Sequence, residues 1–555
     1  MKSFSSSILI LIFLFISIPI FFGVLGTLLP SFGYFLNNSV GFSLKLFLRI
    51  FELPGINKSI FLTTFVGITA TFISLLISQI ILIKLFDTRY YNYLIKLITP
   101  LIAFPHITMA VGLSFLFASS GFFVRIFSFF FGNYERPPNL SLFPDDYGIF
   151  LILGLVLKET PFFLLMSINI LLQFPSKKYF DVGKLLRNDQ MSSWFFFVFP
   201  QIYKKLKISI IIVLVFSSSV LDMSYILSPT TPSTLSIRIL ELYQTPDLEN
   251  ISLAAALSIF QLILIFGLII IWYLFEKLSI QQFLYQFYMS IFSKKFLFSD
   301  DKLYYLSVIT FLISIMCIIV SILWSISNFW KFPNLLPTEY TINNFIGFAQ
   351  NLSESFFNTI YIGVFVSILS FILILCWLEL TIQKNIKKTY LEFIFFIPIL
   401  IPELSFLLGI NFFLLQNNYL SNFVQLIWIE VLYIIPYTYL ILEPAYRGIN
   451  EKYIQIGKMF GKSNLKIIFS IKLPLIFKSV LLALGIGFLV SIGLYTPVYF
   501  VGQNEISTLS IELINFSFSG NRKDLGVVTI LQMFLPLLTL SIVYILGKIF
   551  VIWKY

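Results

Sequence analysis

Residues 181–204 read DVGKLLRNDQMSSWFFFVFPQIYK, and residues 455–478 read QIGKMFGKSNLKIIFSIKLPLIFK. The two segments align without a gap at an offset of 274 residues, so that Gly183 is paired with Gly457. Both segments are basic and lie between long apolar runs. An internal repeat of this kind in an apolar chain predicts two structural halves.

The composition is that of a membrane protein. The chain has 555 residues, of which 58% are hydrophobic and only 11% are charged. A soluble domain carries roughly 25% charged residues, so the composition predicts an all-α integral membrane protein. Apolar runs of about 20 residues, the length that an α-helix needs to cross the hydrocarbon, recur in the chain. We place twelve predicted spans at 7–29, 60–83, 97–118, 148–172, 208–227, 252–275, 305–329, 357–378, 391–415, 423–443, 479–499 and 525–547.

The distribution of basic residues predicts the orientation. With the N-terminus inside, 27 of the 37 Lys and Arg residues fall in cytoplasmic segments and nine in external ones. This asymmetry favours both termini in the cytoplasm. The net charge of +11 then reflects topology, and no domain for nucleic-acid binding is predicted. The expected domains are a first half at 1–277, a cytoplasmic linker at 278–304 and a second half at 305–555.

Other signals in the chain are weak. The apolar run after Lys2 extends over about 22 residues, longer than a signal-peptide core, so we expect it to be the first span. His106 is the single histidine, and we interpret it as a packed or interfacial residue. No cluster with metal-ligand spacing and no nucleophile with its base is recognised, so neither a metal site nor a catalytic residue is predicted. The Gly457 to Ser463 stretch has the wrong spacing for a phosphate-binding loop.

The repeat extends beyond the basic segments. Thr234-Leu-Ser-Ile recurs as Thr508-Leu-Ser-Ile at the same offset, after the fifth predicted span of each half. Because loop residues in register are harder to explain by chance than apolar helices, we interpret the duplication as real.

The spacing within the repeated segments resembles the EAA loop of binding-protein-dependent ABC importer permeases, E-A-A-x3-G-x9-I-x-L-P. Neither copy has the leading Glu, and each has Gly at the third position. The matching positions, which we predict to couple the chain to an ATPase, are Asp181, Gly183, Arg187 and Pro200 in the first copy and Gln455, Gly457, Gly461, Leu473 and Pro474 in the second.

Two tandem halves of this kind resemble the fused permeases of the ferric-iron and thiamine importer branch, and details resemble YnjC-type permeases. Those details are PHITMAVGL at 105–113, LVLKETPF at 155–162, LYIIPYTYL at 432–440 and VSIGLYTP at 490–497. The resemblance implies a fold of about twelve transmembrane helices in two six-helix type I halves, multi-pass in a bacterial inner membrane.

The resemblance also implies the function and the partners. The chain would be the permease subunit of an ABC importer for a small polar solute, and it would not itself be an enzyme. Two copies of a cytoplasmic ATPase would hold the ATP and Mg, with no cofactor bound by this chain. A periplasmic or extracellular solute-binding protein and membrane lipid would be the other partners, and nucleic acid would not.

Glycine and proline have a mechanical role in such loops. Gly supplies a tight turn through a positive φ, and we expect each Pro to end a helix before the next span. Arg187 stands where Gly461 stands in the second copy, and an Arg adopts a positive φ at a higher cost. We therefore hypothesise that the two halves couple unequally, with the second coupling more tightly.

Charged residues within predicted spans are candidates for the transport pathway. Lys158 and Glu159 lie near the middle of the fourth span, and Pro161 follows them. A central Lys costs roughly 2.5–3.5 kcal/mol in a membrane helix, so such residues usually face protein or water. A structural ion pair of Lys158 or Glu159 with Asp222, Glu403 or Glu430 is the alternative to a pathway role. Asp222 and Glu403 are weaker pathway candidates of the same kind.

The alternative function is a twelve-helix secondary transporter driven by an ion gradient. That class usually carries a Gly- and Arg-rich loop between its second and third spans. Here the loop reads KLFDTRYYNYLIK, which contains no Gly. A membrane scaffold or a lipid-handling permease is a third possibility.

Overall fold

The computed structural model describes residues 2–35, 38–39, 43–132, 134–138, 145–187, 190–290, 300–384, 390–416, 420–503 and 505–553. Part of the predicted linker, residues 291–299, lies outside this description, as do residues 188–189. The helices of the first sequence half are α1 Lys2–Ser31, α2 Lys45–Ile50, α3 Ile56–Leu85, α4 Tyr91–Ala103, α5 His106–Phe117, α6 Phe122–Phe131, α7 Ile149–Leu171, α8 Ser176–Arg187, α9 Gln190–Ser193, α10 Phe199–Ser219, α11 Asp222–Leu227, α12 Leu235–Tyr243 and α13 Leu248–Ser290.

The second sequence half is also helical. Its helices are α14 Asp300–Ser325, α15 Asn343–Asn351, α16 Ser353–Gln383, α17 Ile397–Leu400, α18 Glu403–Gln416, α19 Asn422–Arg447, α20 Glu451–Met459, α21 Asn464–Ile467, α22 Leu473–Leu475, α23 Phe477–Gly493, α24 Thr496–Gly502, α25 Leu509–Ser519 and α26 Arg522–Trp553. A 3₁₀ segment, Tyr390–Phe396, precedes α17. Strands occur as two antiparallel hairpins, which are β1 Tyr34–Phe35 with β2 Asn38–Ser39 and β3 Ser327–Phe329 with β4 Glu339–Tyr340.

The elements of the two halves follow nearly the same order. Each half begins with a long helix, a hairpin, a short helix and a second long helix, and α1 to α3 correspond in this way to α14 to α16. Later, α7 to α13 correspond in order to α19 to α26, with α10 matched by both α22 and α23. Within the described ranges, α6 has no counterpart in the second half. The repetition of element order extends the sequence repeat to the backbone.

The described helices support a polytopic membrane fold close to the twelve spans predicted. Nine of them are long and apolar enough to cross a membrane, or eleven if two bent pairs each count as one span. The bent pairs turn by 102° between Leu391–Leu400 and Glu403–Leu415, and by 83° between Asn464–Leu475 and Phe477–Gly493. The all-α membrane fold is therefore confirmed, with fewer continuous spans than the apolar runs indicated.

Two predicted spans of the first sequence half are divided, as 391–415 and 479–499 are in the second. The run at 97–118 breaks at Phe104, whose ψ of 137° is extended because a residue before proline avoids the helical region. The helix that follows, together with α6, forms the candidate span His106–Phe131. The run at 208–227 is split between α10 and α11, and neither helix qualifies as a span in the described part of the chain. Lys204, Lys205 and Lys207 make the start of α10 polar.

The chain forms two compact units that exchange their first helices. The C unit contains Met1–Leu28, Gly347–Asn515 and Leu531–Tyr555, and the N unit contains Leu29–Ile346 and Phe516–Ile530. Thus α1 packs with the second sequence half, and α14 packs with the first. The predicted halves describe the repeat in the sequence, whereas the units describe how the helices pack.

A glycine at equivalent positions allows each exchanged helix to approach closely. In the N unit, a Cβ on Gly112 would lie 2.6 Å from Cys317 Cβ on α14. In the C unit, a Cβ on Gly409 would lie 1.8 Å from the Gly23 carbonyl oxygen on α1. Both glycines stand seven residues after the proline of a Pro-x-x-[Thr/Ser] stretch, which shows that the two contacts are repeats of one design.

The Thr-Leu-Ser-Ile repeat has a structural reason. In the N unit, α10 ends at Ser219 and leaves helix carbonyl groups without intrahelical donors. Ser236 Oγ donates to the Ser219 carbonyl oxygen at 3.0 Å, and Gln261 Nε2 donates to the Ser218 carbonyl oxygen at 3.1 Å. Gln261 Nε2 also donates to Ser236 Oγ at 2.9 Å. The repeated serine therefore satisfies the end of a broken membrane helix.

The C unit uses the same arrangement. Ser510 Oγ donates to the Ile492 carbonyl oxygen at 2.9 Å, and Gln532 Nε2 donates to that carbonyl at 3.1 Å and to Ser510 Oγ at 2.8 Å. The leucine before the serine is also held, since Leu509 N–H donates to Thr359 Oγ1 at 3.0 Å. At both breaks, between α10 and α11 and between α23 and α24, a serine hydroxyl and a glutamine amide thus donate to carbonyl groups at the helix end.

Candidate functional sites: two repeated segments and two helix breaks

The first repeated segment, residues 176–204, and the second repeated segment, residues 450–478, follow the same path. Each has an amphipathic helix followed by a short helix, which are α8 and α9 in the first and α20 and α21 in the second. A π-helical turn then follows, at Trp194–Val198 in the first and at Ile468–Lys472 in the second. The two π turns are related by the same offset of 274 residues. Because π turns are rare and occur often at functional sites, their repetition indicates a retained mechanical element.

Gly183 and Gly457 lie inside helices, where no positive φ is required. Gly183 allows close packing, because a Cβ there would lie 2.8 Å from Ser193 Cβ and 2.9 Å from Phe197. A Cβ on Gly457 would lie 2.6 Å from Ile471. The contacts are again equivalent at the repeat offset, so these glycines let the first helix lie against the π turn rather than make a turn.

The other predicted coupling residues are placed differently from one another. Asp181 and Gln455 are exposed on α8 and α20. Arg187 is the last residue of α8, whereas Gly461 lies beyond the end of α20 with φ of +68°. The helix before the turn therefore ends later in the first repeated segment.

The expectation that the prolines end a helix is wrong. Pro200 is the second residue of α10, and Pro474 is the second residue of α22, directly after Leu473. Each proline follows a π turn and begins the next helix. A proline is tolerated in the first turn of a helix because its missing N–H would have no intrahelical acceptor there.

Each repeated segment presents an exposed apolar face. Leu185 is 86% exposed, and Met459 at the equivalent position is 87% exposed. Nearby apolar residues at equivalent positions of the two segments are exposed as well. The exposed pairs are Tyr179 with Tyr453, Val182 with Ile456, Leu185 with Met459 and Leu186 with Phe460. An apolar stripe that is repeated and left uncovered in a basic loop is typical of a protein-binding surface.

Aromatic packing anchors the first repeated segment. Trp194 is fully buried, and its ring centroid lies 5.3 Å from that of Phe86 and 6.0 Å from that of Phe180. Its Nε1 donates to Gln79 Oε1 at 3.3 Å, and Gln79 Nε2 donates to Ser167 Oγ at 3.0 Å. The π turn is thereby fixed to α3 and α7.

A buried ion pair anchors the second repeated segment. Lys472, the last residue of the π turn, pairs with Glu379 at the end of α16, and both side chains are at most 10% exposed. Tyr446 OH also donates to Glu379, and Gln383 Nε2 donates to its Oε1 at 2.8 Å. Nearby, Arg447 pairs with Glu392 at 2.9 Å.

Lys158 has a structural role at a helix break in the N unit. Its ammonium group donates to the Leu101 and Ile102 carbonyl oxygens at 3.0 and 3.2 Å, and to that of Phe104. These are the last carbonyl groups of α4, which the break before Pro105 leaves without helical donors. Lys158 is only 4% exposed, so its charge is directed at this helix end.

Glu159 contacts the histidine. Glu159 Oε1 lies 3.3 Å from His106 Nε2 on α5. Asp222 is the first residue of α11, and its Oδ1 accepts from Met223 N–H at 2.7 Å. The interpretation of His106 as a packed or interfacial residue did not include its contact with Glu159. Pro161 lies within α7, which continues to Leu171.

In the C unit, Glu403 lies at the corresponding break. It accepts a hydrogen bond from Thr496 Oγ1. The hydroxyl of Tyr433 is buried without a hydrogen-bond partner among the described residues. Deeper in the unit, Glu430 accepts from Ser491 Oγ.

The two sets of polar residues occupy equivalent positions. His106 and Glu403 each follow the proline of Pro-x-x-[Thr/Ser], at the first position of α5 and α18. Asp222 and Thr496 are related by the repeat offset, as are Glu159 and Tyr433. Aligning residues 105–112 with 402–409 by eye would have revealed the first pair. Tyr433 and Thr496 carry no charge, so the search for membrane charges missed them. In the ranges that the structure describes, no three Asp, Glu, His or Cys residues are grouped as metal ligands.

A polytopic helical protein with duplicated loops, duplicated helix breaks and exchanged first helices has the architecture of a membrane permease. Comparison with known proteins gives the class. Residues 381–553 match the family of the binding-protein-dependent transport system inner membrane component. The chain is similar to the inner membrane ABC transporter permease protein YnjC of Escherichia coli (strain K12), with 24% identity over 510 residues that cover 92% of each chain. No solved structure matches the chain.

These matches support the prediction of a membrane permease of the ABC transporter class that is not itself an enzyme. The family match falls in the second sequence half, and the similarity to YnjC extends over both halves. These matches favour the permease prediction over the carrier driven by an ion gradient.

Proposed function

We propose that this chain is the transmembrane subunit of an importer that moves a small polar solute across a bacterial inner membrane. Both transmembrane halves are supplied by one polypeptide. ATP and Mg are bound by two copies of a separate ATPase on the cytoplasmic face, and a solute-binding protein delivers the solute outside. Both termini are cytoplasmic in this proposal, as the distribution of Lys and Arg favours.

The observation that carries the proposal is the repeated exposed face of α8 and α20. A permease whose two halves are driven by two identical ATPase subunits must present the same docking surface on each half. The exposed residues match pair by pair at the repeat offset, although most of the identities differ. Their equal exposure supports selection for contact with the same partner.

The test uses the full chain, tagged and extracted from its native membrane in mild detergent. We expect ATP-hydrolysing activity to purify with the wild-type chain. Replacing Leu185 and Met459 together by Asp places a charge at the centre of each proposed interface, where an unpaired buried charge costs several kcal/mol. The associated activity should then fall to background.

Ile342→Asp provides the matched control. Ile342 is an exposed apolar residue that lies outside both repeated segments, so its replacement should leave the associated activity unchanged. Retention of full activity by the double Asp variant, or equal loss in the control, would refute docking at these faces.

A further inference from the structure

We propose that Glu379 is a positioning residue that joins the second repeated segment to α16, and that α16 carries a displacement of α20 to its opposite end. Glu379, Tyr446 and Lys472 form this contact, the Glu379 junction, and all three lie in the C unit. The inference rests on the proposed function, which supplies the ATPase that displaces α20. It adds the residues that transmit the displacement within the C unit.

One carboxylate holds the chain on both sides of the proposed docking helix. Glu379 lies near the end of α16, accepts a hydrogen bond from the Tyr446 hydroxyl and pairs with the Lys472 ammonium group. Tyr446 belongs to the last turn of α19, just before the second repeated segment, and Lys472 ends the π turn near the end of that segment. Lys472 Nζ also lies 5.1 Å from the centroid of the Tyr446 ring. The junction therefore closes the stretch of chain that contains α20 and α21.

Burial makes the junction difficult to open. Glu379, Tyr446 and Lys472 are each less than 10% exposed. A hydrogen bond to a charged group is stronger than one between neutral groups, and a partner that moved away would leave the carboxylate buried without compensation. We therefore expect the three residues to stay together when α20 is displaced, so that α16 follows the docking helix.

The opposite end of α16 holds a turn that belongs to the sequence repeat. The helix runs without interruption over Ser353–Gln383, which is roughly 45 Å at 1.5 Å per residue, and it packs against α19 and α23. Near its beginning, Thr359 Oγ1 accepts from Leu509 N–H at 3.0 Å, and Ser355 Oγ donates to Ser507 Oγ at 2.8 Å. A displacement at the Glu379 junction is therefore carried to the turn between α24 and α25.

Apolar residues occupy the equivalent positions of the N unit. At the repeat offset, Leu172 and Val198 stand in place of the tyrosine and the lysine. Ile83 stands in place of the carboxylate when α3 and α16 are aligned on the threonines that accept from the repeated leucine. An exposed bond of 2.8 Å from Lys205 Nζ to Gln173 Oε1 joins the two sides of the first repeated segment, but it includes no residue of α3. The charged junction is thus specific to the second repeated segment.

The first test examines the junction in the full-length permease in lipid nanodiscs, without the ATPase. Tyr446→Phe removes one hydrogen bond and keeps the ring and the ion pair. Amide hydrogen exchange should become about tenfold faster both in the last turn of α19 and in the π turn Ile468–Lys472, on the scale of one hydrogen bond to a charged group. Unchanged exchange in the π turn would overturn the proposal.

Tyr439→Phe is the matched control. Tyr439 lies on the same helix, is also buried, and donates to another carboxylate, Glu392 Oε2, at 2.6 Å. Its replacement removes the same kind of bond outside the junction, so exchange in the π turn should stay at the wild-type rate. An equal increase in the control would also overturn the proposal.

The second test examines transmission, with the co-purified ATPase present. Exchange is compared without nucleotide and with ATP and orthovanadate, which hold the ATPase in one nucleotide-bound state. In the wild type we expect the nucleotide to change exchange in α20 and at residues 505–512. In Tyr446→Phe the change in α20 should remain, while the change at 505–512 should fall severalfold and the thermal unfolding midpoint should stay close to that of Tyr439→Phe. An undiminished change at 505–512, or its absence in the wild type, would overturn the proposal.

The outcome is separable from that of the proposed function. Absence of co-purifying ATP hydrolysis would refute the docking faces, and the first test would still accept or reject the Glu379 junction because it uses no ATPase. A nucleotide-dependent change in α20 that is transmitted equally well by Tyr446→Phe would refute only the positioning role of Glu379.

Discussion

The two repeated segments share a backbone path but are anchored by different chemistry. The π turn of the first is fixed by a buried tryptophan within an aromatic cluster, and that of the second by a buried Lys–Glu pair. The amphipathic helix, the π turn and the glycine contact occur at equivalent positions in both, at the same offset. The geometry has therefore been retained at the surface where we propose that a partner docks, while the interior contacts have diverged.

The largest expected effect comes from removing the charge in the second anchor. Lys472→Met leaves Glu379 buried without its cation, and breaking such a pair costs about 3–5 kcal/mol. Val198 occupies the equivalent position in the first repeated segment and is buried in an apolar cluster. Val198→Met should therefore cost less, about 1–3 kcal/mol from overpacking. The thermal unfolding midpoints of the two variants in detergent test this difference.

A second substitution separates the charge from the packing. If the loss in Lys472→Met comes from the stranded carboxylate, adding Glu379→Gln should restore part of the stability. A double variant that is less stable than Lys472→Met alone would show that the ion pair is not what holds the second repeated segment.

Replacing Gly183 or Gly457 by alanine should change stability by an intermediate amount, with a loss at Gly183 and a gain at Gly457. A Cβ at Gly183 meets the Cα and Cβ of Ser193, at 3.0 and 2.8 Å, so the backbone must move. We expect Gly183→Ala to cost about 1–3 kcal/mol, as overpacking does. At Gly457 the nearest atom is the flexible end of Ile471. Gly457→Ala should gain up to about 1 kcal/mol of helix propensity, less the cost of moving that side chain.

Hydrogen exchange of α8 and α20 in the full-length permease gives the measurement for both glycine variants, because it reports local opening. Faster exchange should appear in α8 of Gly183→Ala and not in α20 of Gly457→Ala. Equal effects would show that the two close approaches are energetically alike.

Much of this architecture could be predicted from the sequence because it follows from hydropathy and from loop chemistry. The Gly183/Gly457 pair revealed the duplication, and twelve apolar runs revealed a helical membrane fold. The helix breaks were missed because hydropathy does not register a change of direction within an apolar run. Phe104 illustrates this, since only the following Pro105 forces it out of the helix.

The role of Lys158 could not be read from its position alone. A charge in the middle of a span predicts either a pathway or an ion pair. The structure gives a third solution, in which the ammonium group satisfies the carbonyl groups at the end of α4. Those carbonyl groups lie about 55 residues earlier in the chain, at the end of α4. The position of Lys158 in the sequence does not indicate that they are its acceptors.

A smaller effect is expected at the turns of the repeated segments. Gly461 has φ of +68°, where a side chain costs about 1–2 kcal/mol. Arg187 ends α8, and alanine is the best helix former, so Arg187→Ala should change stability by less than about 0.5 kcal/mol. Gly461→Arg should therefore reduce transport by reconstituted vesicles more than Arg187→Ala does. Equal impairment would refute unequal coupling by the two halves.

The smallest expected effect concerns an exposed ion pair of the first repeated segment that has no equivalent at the matching position of the second. Lys177 pairs with Asp87 at 2.8 Å, and both side chains are exposed, whereas the second repeated segment has Glu451 at the position of Lys177. The hydrogen bond and the charge of Asp87 raise the pKa of Lys177 above its ordinary value. A raised lysine pKa gives stability that is fully present below the ordinary pKa and is lost as the pH rises through the raised one.

Up to about pH 9 the ammonium group of Lys177 therefore stays charged, and the stability that its raised pKa contributes should be constant. Asp87→Asn is the suitable probe, because Asp87 has φ of +60° and asparagine also tolerates that region. We expect the variant to unfold very close to the wild-type temperature at low salt. At about 1 M salt, where the Debye length is near 3 Å, any remaining difference should vanish. A difference that persists in high salt would show that Asp87 holds the first repeated segment through its backbone geometry rather than through its charge.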